Sequence, residues 1–298
     1  MTLQAIVAAL GGDLYQGGCR ANVPAPGHSA ADRSMSLMLS EGRVVIHGFG
    51  GVDWRTLRDD LRRRGLIDSA GRLTGTGHAR PRLSKPDHRT RRVTAARLWD
   101  DAVAMDESTA SERHLRLRAV RCSGALNLRH HPQAPISVYR PGGHGRAALV
   151  ARISDASDRL TAVELTYLEP SGHPASGLRL TRKTVGLVPS GAAVRLAPAS
   201  VEMLVGEGVV TTLSAMDRFG LPGWALMAAN NLAVWSPPPG VRRVLIAADR
   251  GAVGQGAADR LRLRLLRIGV QAEARWPEPP YGDWNEVATA SRRVKGGR

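Results

Sequence analysis

Three acidic residues stand where carboxylates can act together. Glu207 follows the apolar run VEMLVG, Asp249 closes the apolar run VRRVLIAAD, and Asp283 lies in Gly282-Asp283-Trp284-Asn285. An apolar run that stops at a carboxylate reads as a buried strand whose end reaches the surface. Carboxylates gathered on one rim repel each other unless a cation or a proton intervenes, so the grouping points to Mg²⁺ or Mn²⁺. Magnesium typically takes one or two carboxylates, with waters and substrate phosphates completing its shell. The other reading of the same residues is ordinary: acidic strand ends also serve as helix caps and solvated turns.

Other combinations carry less. The stretch from Gly251 through Gly254 to Gly256 is glycine-rich but lacks the Lys-Ser/Thr of a phosphate loop and the spacing of a dinucleotide fingerprint. His130-His131 has no ligand partner at suitable spacing and reads as a polar turn before Pro132. Tyr15, Tyr139, Tyr167 and Tyr281 have no nucleophile context. Cys19 and Cys122 are the only cysteines. They make neither a disulfide framework nor a cysteine zinc site, which fits a reducing, cytoplasmic setting.

The elements that would position the three carboxylates alternate. VEMLVG, ALMAA, VRRVLIAAD and VQAEARW read as strands; TTLSAMDRF and AADRLRLRLLRIG read as helices between them. Strand-helix alternation implies a parallel sheet, whose sites lie at the carboxyl ends of the strands. Glu207 and Asp249 fall at such ends.

Upstream the pattern is mixed, so the chain as a whole is expected to be α/β and α+β. Residues 1–70 read as a small unit with a helix on Leu3, Ile6, Val7 and Leu10, a strand at RVVIH, and a helix that Asp53 caps and Gly65 stops. Residues 71–92 hold Gly, Pro and many basic residues without an apolar period, and read as an exposed basic linker. Residues 93–198 begin with two helices, the second capped through Thr109 and Glu112, and turn strand-rich from AALVARI onward. Residues 199–290 hold the alternating region and 291–298 a basic tail.

The formal net charge is +16, and Lys appears only at positions 85, 183 and 295. Coding bias explains Arg in place of Lys but not the excess over Asp and Glu. Such an excess attracts phosphate polymers. The candidate contacts are Arg80, Arg82, Lys85, Arg89, Arg91 and Arg92 in the linker, with Arg250 beside the carboxylates. No run reaches the roughly 18 apolar residues of a membrane span, and the first residues do not resemble a secretory signal.

Three segments resemble a family. VGEGVVTTLSAM is similar to the glutamate motif of Toprim domains, VLIAADRGAVGQGAADRL to their second, Asp-x-Asp motif, and GDWNEVA to the closing Asp-Phe/Trp-Asn segment of primase-like members. LWDDA, SERHLRLRAV and LNLRHHPQAP resemble the region preceding Toprim in bacterial primase-like proteins of plasmids, phages and integrated elements. APGHSAADRSMSL with VVIHGFGGVDW is similar to the zinc ribbon that opens such proteins. The resemblance implies a C-terminal Toprim domain with a mainly parallel sheet flanked by helices, a primase-core-like region before it, and a ribbon-like unit at the start. It implies nucleotidyl transfer with Mg²⁺ or Mn²⁺, Glu207 as general acid/base, and Asp249 and Asp283 as metal ligands. It also implies single-stranded DNA or a template-primer as partner, and a separate helicase, since no Walker motif is visible.

The sequence departs from that family twice. Ala25, Gly48 and Gly51 stand where ribbon cysteines would sit, leaving His28 alone; one imidazole cannot hold a structural zinc that needs four ligands, so no zinc is expected. The Asp-x-Asp pair reads Asp249-Arg250-Gly251, so its second carboxylate is gone. Two further readings therefore stand beside the nucleotidyltransferase: a catalytically degenerate DNA-binding module of a replication complex, and a Toprim-type nuclease.

Overall fold

The structure is a computed structural model that describes residues 2–29, 32–49, 53–74, 86–121, 125–139, 144–178 and 180–296. Arg80, Arg82, Lys85, Gly51 and Cys122 lie outside the described residues. The chain forms two compact units, 1–85 and 86–298.

In the first unit, helix α1 (Gln4–Leu10) is followed by strands β1 (Asp13–Tyr15), β2 (Arg20–Val23), β3 (Met35–Ser40) and β4 (Arg43–Gly48), then helix α2 (Trp54–Arg63). The strands pair in chain order, all antiparallel. Leu3, Ile6, Val23, Met35, Leu37, Leu57 and Leu61 form an apolar core. Asp53 caps α2 by accepting from Arg55 N at 3.0 Å. His28 Nδ1 lies 3.0 Å from Asp32 Oδ2. Asp32 also accepts from Ser34 Oγ and from Ala25 N at 2.9 Å, bonds that hold its pKa down at about 2.

The second unit opens with helices α3 (His88–Asp100) and α4 (Ala110–Leu117). The stretch 71–92, expected as a linker, therefore contains the start of a helix. Asp87 caps it, accepting from Thr90 N at 2.6 Å. Four antiparallel strands follow: β5 (Leu128–Pro135), β6 (Gly145–Ser154), β7 (Leu160–Leu168) and β8 (Arg182–Gly186). His130 and His131 sit in β5 and are buried, contrary to the expected polar turn. The register shifts between His131 and Ala134, so a bulge accommodates Pro132. His130 Nδ1 and Ser111 Oγ share a 2.8 Å hydrogen bond that ties β5 to α4.

Strand alternation gives this sheet two apolar faces. Ala148 and Val150 of β6 pack with Ala95 and Leu98 of α3. Leu149, Ala151 and Ile153 pack on the other side, in one core with Leu204, Leu213 and Trp284.

The remaining elements are β9 (Val194–Arg195), β10 (Glu202–Gly206), α5 (Val209–Phe219), β11 (Gly223–Ala225), α6 (Ala229–Val234), β12 (Arg243–Ala247), α7 (Ala252–Arg267), β13 (Gln271–Arg275) and α8 (Trp284–Gly296). They build a sheet of order β13-β12-β10-β11-β9, parallel except for the β11–β9 pair. Leu232, Trp235, Ala257, Leu261 and Leu265 cover one face; Leu213, Met216 and Trp284 cover the other. The strand expected at ALMAA is shorter and earlier, because Ala229 already opens α6. Residues 291–296, expected as a tail, continue α8. Among the described residues no helix is long and apolar enough to cross a membrane.

Candidate active site

β10 and β12 are neighbours in the centre of the parallel sheet, and Gly206 pairs with Ala247 on their last rung. Glu207 follows one residue later and Asp249 two residues later, so both leave the sheet at the same carboxyl edge. Gly206 lets α5 pack onto this strand end: a β-carbon there would stand 2.6 Å from Thr212 Oγ1 and 3.3 Å from Ala247 O. The main chain of Glu207 is fixed by Met227 N, which donates to its carbonyl at 2.7 Å.

The two carboxyl groups are half-buried, and each has an oxygen without a hydrogen-bond partner: Oε1 of Glu207 and Oδ1 of Asp249. Burial raises the pKa of Glu207. Asp249 is pushed up to about 7, first by burial and then by the charges of Glu207, Asp283 and Glu286. A rim that destabilises its own negative charge is one that a cation or a proton must occupy.

The first turn of α7 closes over the pair. A β-carbon on Gly254 would lie 2.9 Å from Asp249 O and 3.2 Å from Glu207 Oε1. Gly251, where the family pattern has its second aspartate, has φ +126° and ψ 147°. That conformation is close to a glycine-only region, although the space around its β-carbon position is open.

Asp283 has a second task. Its Oδ1 accepts from Glu286 N at 2.8 Å at the start of α8, while Glu286 Oε2 accepts from Gly282 N at 2.6 Å. This reciprocal pair resembles a capping box and fixes the loop beside Asp249. Glu286 is the acidic residue that the sequence reading missed; the spacing Asp283–Glu286 was the available signal. Arg250 does not stand free. Its Nε donates to Pro277 O at 2.6 Å and its main-chain N to Gly282 O at 2.7 Å, so it braces the loop that carries Asp283. Trp284 and Asn285 are buried and structural. Trp284 meets Phe219 edge-on at 5.0 Å, and Asn285 Nδ2 donates to Ser214 Oγ at 2.9 Å and to Arg118 O at 2.6 Å.

A family comparison decides what this sheet is. The family described as Toprim domain matches residues 202–292. The C-terminal part of the chain is a Toprim domain. A second match, to a domain of unknown function (DUF7146), spans residues 89–196 and ends just before it. Among solved structures, the zinc-binding and RNA polymerase domains of Aquifex aeolicus primase align at 14% identity over 100% of this chain and 83% of that one, with a TM-score of 0.47. The primase fragment of the bacteriophage T7 primase-helicase aligns at 14% identity over 66% and 76%, with a TM-score of 0.40. The DnaG primase catalytic domain bound to single-stranded DNA aligns at 11% over 70% and 78%, with a TM-score of 0.47. A search among curated proteins gives no match.

Among the described residues, no group of three or more His, Cys, Asp or Glu side chains is gathered tightly enough to hold a metal ion by itself. The donor set of the Toprim rim nonetheless suits a hard dication, because two buried carboxylate oxygens lack partners. Such a pair fits an ion completed by waters and substrate phosphates rather than an all-protein cage.

Of the cations expected to touch nucleic acid, Arg250 stands beside this rim and three others start α3. Arg89, Arg91 and Arg92 lie in the first turns of α3 with no acidic residue among them. Cations at a helix start oppose the helix dipole, so these three do not stabilise α3 through it.

Proposed function

We propose that this chain is a primase-like nucleic-acid protein whose Toprim rim carries out metal-dependent nucleotidyl transfer. The observation that carries the reading is the pair of unpartnered, buried carboxylate oxygens of Glu207 and Asp249 at the carboxyl edge of adjacent parallel strands. Toprim domains generally bind Mg²⁺. Held here by Asp249 and Asp283, such an ion would neutralise phosphate charge in the reaction. The rest falls to the protein. Glu207, its pKa raised by burial, exchanges a proton with the attacking hydroxyl or the leaving pyrophosphate as the new oxygen–phosphorus bond forms at the α-phosphorus and the bond from that phosphorus to pyrophosphate breaks. Gly254 leaves room for its carboxyl, and the Arg250-braced loop holds Asp283 beside Asp249. A single-stranded template or template-primer is the partner that the excess positive charge suits. Service to a mobile element, with a separate helicase, belongs to the same reading.

One observation favours a second reading, a DNA-binding module without catalysis: Gly251 supplies no carboxylate where the family pattern has one. A primer-synthesis assay on single-stranded DNA with Mg²⁺ or Mn²⁺ separates the readings. Product that vanishes in Glu207→Gln supports the transferase. Binding without product supports the module, and cleavage of the strand supports a nuclease.

A further inference from the structure

The face of the β5–β8 sheet turned away from the Toprim domain carries a groove of its own, about 470 Å³ in volume, between α3 and the strands β6 and β7. Arg92, Val93, Ala96, Trp99 and Leu160 line it, with Asp100 at one end. Helical geometry explains the row. Arg89, Arg92, Ala96 and Trp99 follow at steps of three and four residues, so they share one side of α3. Val93 beside them is 60% exposed.

We propose that this groove is a second nucleic-acid site, which takes one unstacked nucleotide of a single strand with its base on Trp99 and its phosphate at Arg92. The inference rests on the nucleic-acid reading above and adds a place and a mode of contact. Trp99 is held ready: the Arg129 guanidinium lies 4.3 Å from its ring centroid, and Arg129 Nη1 donates to the Trp99 carbonyl at 3.1 Å. Arg152, the other cation at the groove, is already paired with Asp158 at 2.9 Å and acts as wall. Arg89 and Arg92 have no ion-pair partner among the described residues. Asp100 repels phosphate from the far end, which gives the groove a polarity. An aromatic floor with adjacent free cations is the general chemistry of single-strand binding, tolerant of sequence because every base has a stacking face. The alternation of β6 puts the sheet between this groove and the carboxylate rim, so a strand held here is held away from the chemistry.

The test is photocrosslinking of the full chain to a 5-bromouracil-substituted oligodeoxythymidine, with peptide mapping, beside affinity titrations of Arg92→Glu and Val93→Glu. Both positions are exposed, so the variants should melt with the wild type. The expected result is a crosslink within residues 92–100 and a loss of affinity of about 5- to 100-fold in each variant. Trp99→Phe should keep most of the affinity and Trp99→Leu lose it. Crosslinks elsewhere with unchanged affinity in both charge variants would remove the groove and leave the broader reading standing. A free nucleotide that saturates the site while the oligonucleotide fails to compete would replace the strand with a mononucleotide. A wild-type chain that binds no single strand at low salt overturns the nucleic-acid reading, and this inference with it.

Discussion

Gly254 lies so close to Glu207 that a β-carbon on it would stand 3.2 Å from the carboxyl Oε1 and 2.9 Å from the carbonyl of Asp249. The first turn of α7 can therefore sit over both acidic strand ends only while position 254 has no side chain. Gly254→Ala should displace the Glu207 carboxyl or lift the turn. The expected outcome is a folded protein with primer synthesis lowered at least about tenfold, a cost on the order of 1.4 kcal/mol in the transition state. Circular dichroism and a melting curve beside the assay check that the fold survives.

The titration of Asp249 makes stability depend on pH. Its pKa is raised from 3.8 to about 7 by folding, so between those values the folded chain binds more protons than the unfolded one. Stability contributed by the protonated form falls as pH rises through that window and levels off above it. Asp249→Asn should flatten the fall and raise the melting temperature at pH 8, by about 2–4 °C per kcal/mol relieved. Mn²⁺ should raise the wild-type melting temperature more at pH 8 than at pH 5. Melting curves across pH, with and without the ion, check both.

Asp283 is expected to show two separable roles. Asp283→Ala removes the acceptor for Glu286 N and should cost about 1 kcal/mol as a lost cap. Asp283→Asn keeps the acceptor, so it should melt close to the wild type while still weakening Mn²⁺ binding. Equal melting temperatures for the two variants would mean that the cap contributes nothing.

Restoring the family-like pair is less simple than the sequence suggests. Gly251→Asp has open space around its side chain, but its backbone sits at φ +126°. Such strain costs on the order of 1–3 kcal/mol. The variant should melt below the wild type and, where it remains folded, bind Mn²⁺ more tightly because an oxygen ligand is added. Calorimetry and a melting curve on the same sample resolve the two effects.

The α3 cations should show in salt dependence. Each phosphate neutralised on a single strand contributes about −0.7 to the log–log salt slope. Arg89→Ala, Arg91→Ala and Arg92→Ala combined should reduce the magnitude of that slope by about 2 for oligodeoxythymidine binding. An unchanged slope would place the contacts elsewhere.

The parts legible in the sequence were those set by local pattern. VEMLVG and VRRVLIAAD are apolar because both faces of central parallel strands are covered, and that pattern puts Glu207 and Asp249 at strand ends. The parts that were not legible depend on tertiary context. His130 and His131 read as a turn because Pro132 follows, but a bulge absorbs the proline and the sheet buries both rings. Arg89–Arg92 read as linker because the helix gains burial only from Thr94 onward. Glu286 was missed because its charge reaches Asp249 only through the folded loop that its bond to Gly282 N and the Asp283 cap hold in place. The strands of the first unit are short and mostly half-polar, so only β4 stood out.

Isothermal titration of Mn²⁺ from about pH 6 to 8 in buffers of different ionisation enthalpy tests the central claim most directly. The pKa of Asp249 is pushed up to about 7, so an ion entering beside it displaces the proton of the protonated form. The account predicts one ion per chain, release of protons on binding that falls as pH rises from about 6 to 8, and loss of both in Asp249→Asn. No binding, or binding whose proton release is the same in Asp249→Asn, would contradict it.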